Sequence, residues 1–523
     1  MNIPLFLEKQ TKNIQELEIK SRLAWWNLAV TGDKIYTSEL QDAEKALKKL
    51  YSNPEDYKWL QDHLGKGDLL QNRQLQLLLY RYAENLIEPD LLAKMVDLET
   101  EIETIYTNFR PSVKDKLLSN NELKDILLNS INIKEREEAW FASKKIGEEV
   151  SQKILELVHL RNQTAKKAGF SNYYQMRLYN QEIEEKELFD LLDELEQTTK
   201  ERWDTFIEDF TVSIKDKYKL DSNDLYPWFV SDPFFQEAPK TNYSLDPFYK
   251  DKDIVDISRN YYAFINLPVD DILHRSDLFE RKGKNQHAFC TSIDQELDIR
   301  ILCNIRDNEY WMSTQLHELG HAVYDKYIDP NLPYLLRIPA HISVTESIAM
   351  LFGRLGKNSD FINAFANVES SDLQTIKSQI DKQLGISLLI FTRWVMVMVH
   401  FEKALYENPH QDLNKLWWDL VEKFQSLKRP IHRNAPDWAS KLHIACAPVY
   451  YQNYLLGEMM ASQLIHSFKE EKQEGKNWFS NKALGEWLKA KVFKDGAKYP
   501  WQELIKRATN HKLSSNYFIK DLI

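Results

Sequence analysis

His317-Glu318-Leu319-Gly320-His321 is the stretch from which the rest of the chain is read. On a helix, positions i and i+4 share a face, so two imidazoles four residues apart can meet one Zn²⁺. Glu318 follows the first of them, where a carboxylate reaches a metal-bound water rather than the metal. Tyr310-Trp311-Met312 and Leu316 precede the motif and Ala322-Val323-Tyr324 follow it, a composition that predicts a buried helix. The plainer reading, a helix with two solvated histidines, fits that apolar neighbourhood poorly.

A catalytic zinc usually takes three protein ligands and keeps a fourth position for water. Pro330-Asn331-Leu332-Pro333 ends the first helix, and a second is predicted from Ser343 through Phe352. Glu346 is the only carboxylate between Ile338 and Leu355. A buried, unpaired carboxylate is costly and calls for a cation. Zn²⁺ is one candidate; a salt bridge to Arg354, eight residues on, is the other.

The 523 residues carry 68 Lys and Arg against 79 Asp and Glu, a net charge of −11, with no basic stripe of the kind that binds nucleic acid. Gly (14) and Pro (17) are sparse, and no linker, repeat or low-complexity tract divides the chain, which favours one helix-rich body. The start, Met1 to Lys9, has no basic segment followed by a sustained apolar run. The longest apolar stretch, Gly385 to Phe401, contains Arg393 and His400 and reads as a buried helix rather than a membrane span. Three cysteines (Cys290, Cys303, Cys446) do not make a disulfide framework. The expectation is a cytoplasmic protein with no membrane partner; oligomeric state is not legible.

Periodicity predicts helices over about Pro89 to Phe109, Lys134 to Gly169, Glu182 to Ser213, Asp372 to Tyr406 and Asp412 to Leu427. Capping boxes are expected at Ser38-x-x-Gln41 and Ser119-x-x-Glu122. Tyr226 to Pro247 reads as loop. His287 to Thr291, a turn at Asp294-Gln295, and Asp298 to Ile305 alternate like a hairpin, whose edge could accept an extended peptide or could be purely structural. Later, Lys441-Leu442-His443 and Pro448 to Tyr454 gather protonatable donors among apolar residues. Such donors suit the oxyanion of a tetrahedral intermediate, though they suit a core equally.

Together these residues resemble the angiotensin-converting-enzyme family of zinc peptidyl-dipeptidases, in its bacterial intracellular form. HELGHAVYDKYIDPNLPYLLR (317–337), TESIAMLFGRL (345–355) and KLHIACAPVYYQNYLLGEMMASQL (441–464) carry the likeness. It begins at Leu23-Ala24-Trp25-Trp26-Asn27 and covers most of the chain. LVHLRNQTAKKAGFSNYYQMRL (157–178) is similar to thimet-type oligopeptidases as well. The resemblance implies an all-α, mainly helical fold with a small β-hairpin near the active site, two helical halves enclosing a deep channel. It implies one metallopeptidase domain over 1–523, with a lid-like part to about 110 and a catalytic core over about 220–465. His317, His321 and Glu346 would hold Zn²⁺, and Glu318 would be the general base. His443 and Tyr454 would stabilise the intermediate, Lys441 and Tyr451 (or Tyr450) would bind the substrate carboxylate, and His287 and Ala288 its backbone. Short peptides would be the substrates.

The chain departs from that family pattern at several positions. Met350 stands where an aspartate supports the zinc helix, leaving Asp325 as the expected substitute. Asn453 replaces a chloride-binding arginine, Gln286 replaces a disulfide cysteine, and His443 and Tyr454 are one residue further apart. The glutamine that helps hold the substrate carboxylate has no match over Trp228 to Ser231. Within the class, an oligo-endopeptidase or a one-residue carboxypeptidase is the alternative. Outside it stands a non-catalytic peptide-binding protein, which would have no need of Glu318. An acyl-transfer enzyme on Cys290 or Cys446 lacks a nucleophile motif.

Overall fold

The computed structural model describes residues 2–368, 371–473, 475 and 477–522. Its fold is mainly helical, with 23 α-helices among the described residues and two small antiparallel sheets of two strands each. The chain divides into two compact units, each assembled from separate segments. The first comprises Met1–Leu86, Tyr243–Ile380 and Leu456–Phe518; the second comprises Ile87–Asn242, Asp381–Leu455 and Ile519–Ile523.

In the first unit, the amino-terminal helix Ile3–Thr31 is the scaffold for residues three hundred positions away. Phe6, Leu7 and Ile14 are buried in one apolar cluster with Leu60, Leu75, Leu78, Tyr82 and the turn residues Tyr334 and Leu335. Further along the same helix, Trp26 and Ala29 join Ile293 and Leu302 of the hairpin. Between the two clusters lies Glu18, whose carboxylate accepts from Arg22 (3.0 Å), Arg81 (2.7 Å) and the hydroxyl of Tyr334 (3.0 Å). A carboxylate this enclosed is tolerated because both of its oxygens have donors.

The hairpin pairs Phe289–Ser292 with Ile299–Leu302 in the register Phe289↔Leu302 to Ser292↔Ile299. The second strand is covered on its other side by Asp277, whose carbonyl accepts from Cys303 at 2.9 Å. The outer edge of Phe289–Ser292 makes no backbone pairing with another strand among the described residues.

The second unit is built on Ile133–Lys167, a 35-residue helix with Asn132 as its N-cap. It buries Trp140, Ile154, Leu157 and Arg161. Part of Ser371–Glu407 also belongs to this unit. That helix is long and apolar enough to cross a membrane by length and composition, yet 72% of its most apolar window is buried inside the protein.

Ser119 and Glu122 form the expected reciprocal cap, the Glu122 amide donating to Ser119 Oγ and the Ser119 amide to Glu122 Oε2. Ser38 caps nothing: the helix Lys34–Tyr51 starts earlier, because Asp33 accepts the Ile35 amide at 3.1 Å. The single helix expected from Glu182 to Ser213 is two, Glu185–Thr198 and Lys200–Tyr218. At the break, Thr199 is fully buried and its hydroxyl accepts from Arg393 at 2.8 Å, a partner 194 residues away that local periodicity cannot announce.

Candidate metal centre and substrate-binding residues

The HELGH motif lies on the helix Glu309–Lys326, capped by Asn308, whose side chain accepts the Trp311 amide at 3.0 Å. The next helix, Ile342–Gly353, carries Glu346. Gly320 lies at the crossing of the two. A Cβ there would fall 2.8 Å from Ala349 Cα and 3.1 Å from the Ile348 carbonyl oxygen, so only glycine lets the backbones come this close.

This approach brings one ligand atom each from His317, His321 and Glu346 within 4.8 Å of one another. Glu346 Oε2 is 3.7 Å from His317 Nε2 and 3.9 Å from His321 Nε2. Zinc bonds of about 2.0–2.2 Å in tetrahedral geometry separate ligand atoms by about 3.3–3.5 Å, so the set closes on an ion by small side-chain movements.

The electrostatics favour a cation over an ion pair. Burial pushes His317 down to about 4, and burial with the neighbouring His317 pushes His321 down to about 3. Both imidazoles are therefore neutral near pH 7, with lone pairs to donate. Glu346 is raised to about 7 by burial and by Glu458. The alternative partner, Arg354, forms an ion pair with the Glu458 carboxylate. Two neutral imidazoles and a half-buried carboxyl converging on one point fit a divalent metal. Glu318, 7% exposed, is pushed up to about 8 by burial and then by Glu346. A carboxyl that titrates near neutrality suits general-base work.

Support for the ligands differs from expectation. His321 Nδ1 lies 2.7 Å from Thr345 Oγ1, a partner on the second ligand helix. Asp325, expected from the sequence to give such support, is half-buried; desolvation raises it to about 7 and Arg22 lowers it in part. Met350 is packed near Gly457, where a Cβ would lie 3.3 Å from both Met350 Sδ and Glu346 Cβ. Thr345 was missed because a threonine beside a ligand glutamate has no signature until the helices cross. His287 and Ala288 immediately precede the strand Phe289–Ser292, with His287 exposed and its amide donating to Asn285 Oδ1 at 2.9 Å. Cys290, Cys303 and Cys446 are free thiols.

Lys441, His443, Tyr451 and Tyr454 belong to the second unit, where they form a cluster of their own. The ring of His443 lies 5.0 Å from that of Tyr451, which lies 5.7 Å from Tyr454. Tyr450 packs at 5.1 Å from Tyr454. Burial and then Lys441 push His443 down to about 4, so its ring is neutral and donates from one nitrogen. Lys441 is 9% exposed, and burial lowers it to about 8. Its Nζ lies 5.6 Å from the centre of the Tyr451 ring and donates to Gln236 Oε1 at 2.8 Å.

Gln236, the glutamine that meets Lys441, lies a few residues beyond the stretch Trp228 to Ser231. Those positions are committed elsewhere: the carbonyls of Trp228 and Val230 accept from Arg136 at 2.7 and 3.0 Å. Gln236 sits further on because Asp232, fully buried, accepts the amides of Phe234, Gln236 and Glu237 and coils the loop around its carboxylate. An Asp-Pro pair opening a turn was the available sequence signal.

An HExxH helix and a glutamate from the following helix, on a mainly helical scaffold, define the gluzincin kind of metal centre. Residues 2–205 match the sequence model of the family described as angiotensin-converting enzyme, and residues 271–522 match that of peptidase family M3. Each match covers less than half of the chain, and together they support a peptidase of the group that these two families represent. It is also similar to the thermostable carboxypeptidase 1 of Pyrococcus furiosus, 20% identical over 266 residues, and to carboxypeptidase 1 of Bacillus subtilis, 23% identical over 264 residues. Each alignment covers 46% of this chain and 52% of the relative, so the chain spans about half the length of the curated relatives it matches.

Proposed function

We propose that the protein is a zinc-dependent peptidase of short oligopeptides that works from the substrate's C-terminus and releases dipeptides. The observation that carries this reading is the convergence of His317, His321 and Glu346 with Glu318 beside them. His317, His321 and Glu346 would hold a Zn²⁺ ion, which would supply Lewis acidity and make water more acidic. Glu318 takes a proton from the attacking water and returns it to the departing amine, a task matched to a carboxyl titrating near neutrality. By resemblance, Tyr454 and His443 donate to the oxygen that gains charge, and Lys441, Gln236 and Tyr451 grip the terminal carboxylate. The proximity of Lys441 to Gln236 and to the Tyr451 ring supports Tyr451 over Tyr450 for that grip. The outer edge of Phe289–Ser292, which pairs with no other strand among the described residues, suits an extended peptide backbone together with His287 and Ala288.

A second reading, removal of one residue at a time, is favoured by the names of the two relatives, both carboxypeptidases. Mass spectrometry of products from peptides of about 5–12 residues, lengths suited to an enclosed pocket, separates these readings. Serial loss of dipeptides, suppressed by C-terminal amidation, is the expected result. Serial loss of single residues establishes the carboxypeptidase. Internal cuts indifferent to amidation establish an endo-oligopeptidase. Glu318→Gln is expected to keep its zinc and lose turnover; unchanged peptide handling by that variant would instead mark a binding protein.

A further inference from the structure

Val449 is fully buried and its φ is +55°. Left-handed backbone is unfavourable for any L residue and worst for a β-branched one, so such a conformation persists only where its surroundings hold it. Here three side-chain bonds do so. The Val449 amide donates to Glu402 Oε1 at 2.8 Å, and its carbonyl accepts from Gln181 Nε2 at 3.0 Å and Gln452 Nε2 at 2.7 Å. Gln181 Oε1 in turn accepts from Asn453 Nδ2 at 2.7 Å and Gln452 Nε2 at 3.2 Å. One glutamine thus bonds the residue ahead of the helix Tyr451–Lys472 and two residues of its first turn.

A parallel tie holds the turn that carries His443. Arg161, fully enclosed, donates to the Ala445 carbonyl at 2.6 Å and to the Tyr406 hydroxyl at 3.1 Å. Tyr406 and Glu402 lie four residues apart on Ser371–Glu407. Glu402 is 1% exposed. A carboxyl buried this deeply is expensive, and the bond that Glu402 makes to Val449 falls immediately ahead of the donor tyrosines.

We infer that Glu402 and Gln181 are positioning residues: by holding Val449 in the left-handed region they set the direction in which Tyr451 and Tyr454 are presented to substrate. The inference rests on the peptidase reading for the role of those tyrosines, though not for the clamp itself.

The test uses the zinc-loaded full chain and a free-C-terminus heptapeptide. Misplacing a reacting group by about 1 Å costs ~10²-fold, so Glu402→Ala is expected to lower kcat by ~10–100-fold with zinc stoichiometry unchanged and KM shifted far less. Glu402→Gln keeps an acceptor for the Val449 amide and is expected to stay within about threefold of wild type. Adding Val449→Gly to Glu402→Ala is expected to recover most of the loss, since glycine takes positive φ without strain. A merely structural carboxyl would show no such rescue. Gln181→Ala, at a half-buried position, should repeat the kcat loss in milder form should Glu402→Ala fail to fold. Wild-type kcat in Glu402→Ala, or no recovery on adding Val449→Gly, overturns the inference. A crystal structure of Glu402→Ala gives a readout independent of turnover. Val449 is expected to leave positive φ with Tyr451 and Tyr454 displaced; both unmoved overturns the clamp even in a protein that cleaves nothing. Absence of cleavage by the wild type, by contrast, counts against the proposed function alone.

Discussion

Thr345 Oγ1 sits 2.7 Å from His321 Nδ1, so the residue before one candidate metal ligand orients another on the neighbouring helix. The bond ties the HELGH helix to the Glu346 helix beside the candidate ligands. With Nδ1 donating to Thr345, Nε2, the nitrogen facing Glu346, would keep its lone pair for a metal. Thr345→Val keeps the shape and removes the bond. Zinc affinity, measured by competition with a chromophoric chelator, is expected to fall ~10–100-fold. Thr345→Ser should retain most of it.

The three ligands are expected to be individually necessary. His317→Ala, His321→Ala and Glu346→Ala should each abolish stoichiometric zinc, read by elemental analysis of dialysed protein. Full zinc in all three variants would refute the ligand set.

Gly320→Ala tests the close helix crossing. The added methyl has Ala349 Cα at 2.8 Å, backbone that cannot rotate away, so the two helices must separate. Overpacking of this kind costs about 1–3 kcal/mol. A lowered melting temperature together with weakened zinc binding is expected, because separation also pulls Glu346 from the histidines. A variant with wild-type zinc affinity would show that the crossing does not set the ligand geometry.

Lys441→Ala and Gln236→Ala probe the carboxylate grip. A hydrogen bond to a charged group contributes about 1.5–3 kcal/mol. Lys441→Ala should therefore raise KM for free-acid peptides by ~10–150-fold by that measure, with Gln236→Ala smaller. Neither should change KM for amidated peptides. Equal effects on both substrate forms would place these residues away from the C-terminus.

The Glu402 carboxyl gives a pH signature. Burial raises it to about 8, against opposing contributions from the Val449 amide and Arg161. A carboxyl whose pKa is higher in the folded state binds more protons there. Its contribution to stability is full below the unfolded value of about 4.3 and is lost as pH rises through about 8. Glu402→Gln cannot ionise. Its melting temperature should gain on wild type between pH 5 and pH 8, and a pH-independent difference would refute the assignment.

Much of this was open to a reader of the residues alone. The spacing of His317 and His321 needs only helical geometry, and the isolation of Glu346 among apolar residues needs only the cost of burying charge. The long helices near 89, 133, 371 and 413 followed from apolar periodicity, a local property. The failures share a cause. Ser38 satisfies the cap pattern, but Asp33 starts the helix first. Thr199 breaks a helix where buried Arg393 bonds it from afar.

What the sequence by itself determined was the set of candidate metal-binding side chains, the candidate base beside them and the mainly helical class, because each depends on neighbours within a few turns. Tertiary structure alone decided which side chains hold those groups in place. Thr345 on His321, Arg354 on Glu458, Gln236 on Lys441 and Glu402 on Val449 are partners that segments distant in sequence, or helices crossing in space, bring within bonding distance. Hydrogen bonds and desolvation act over a few ångströms, and no spacing along the chain reports them until the chain is folded.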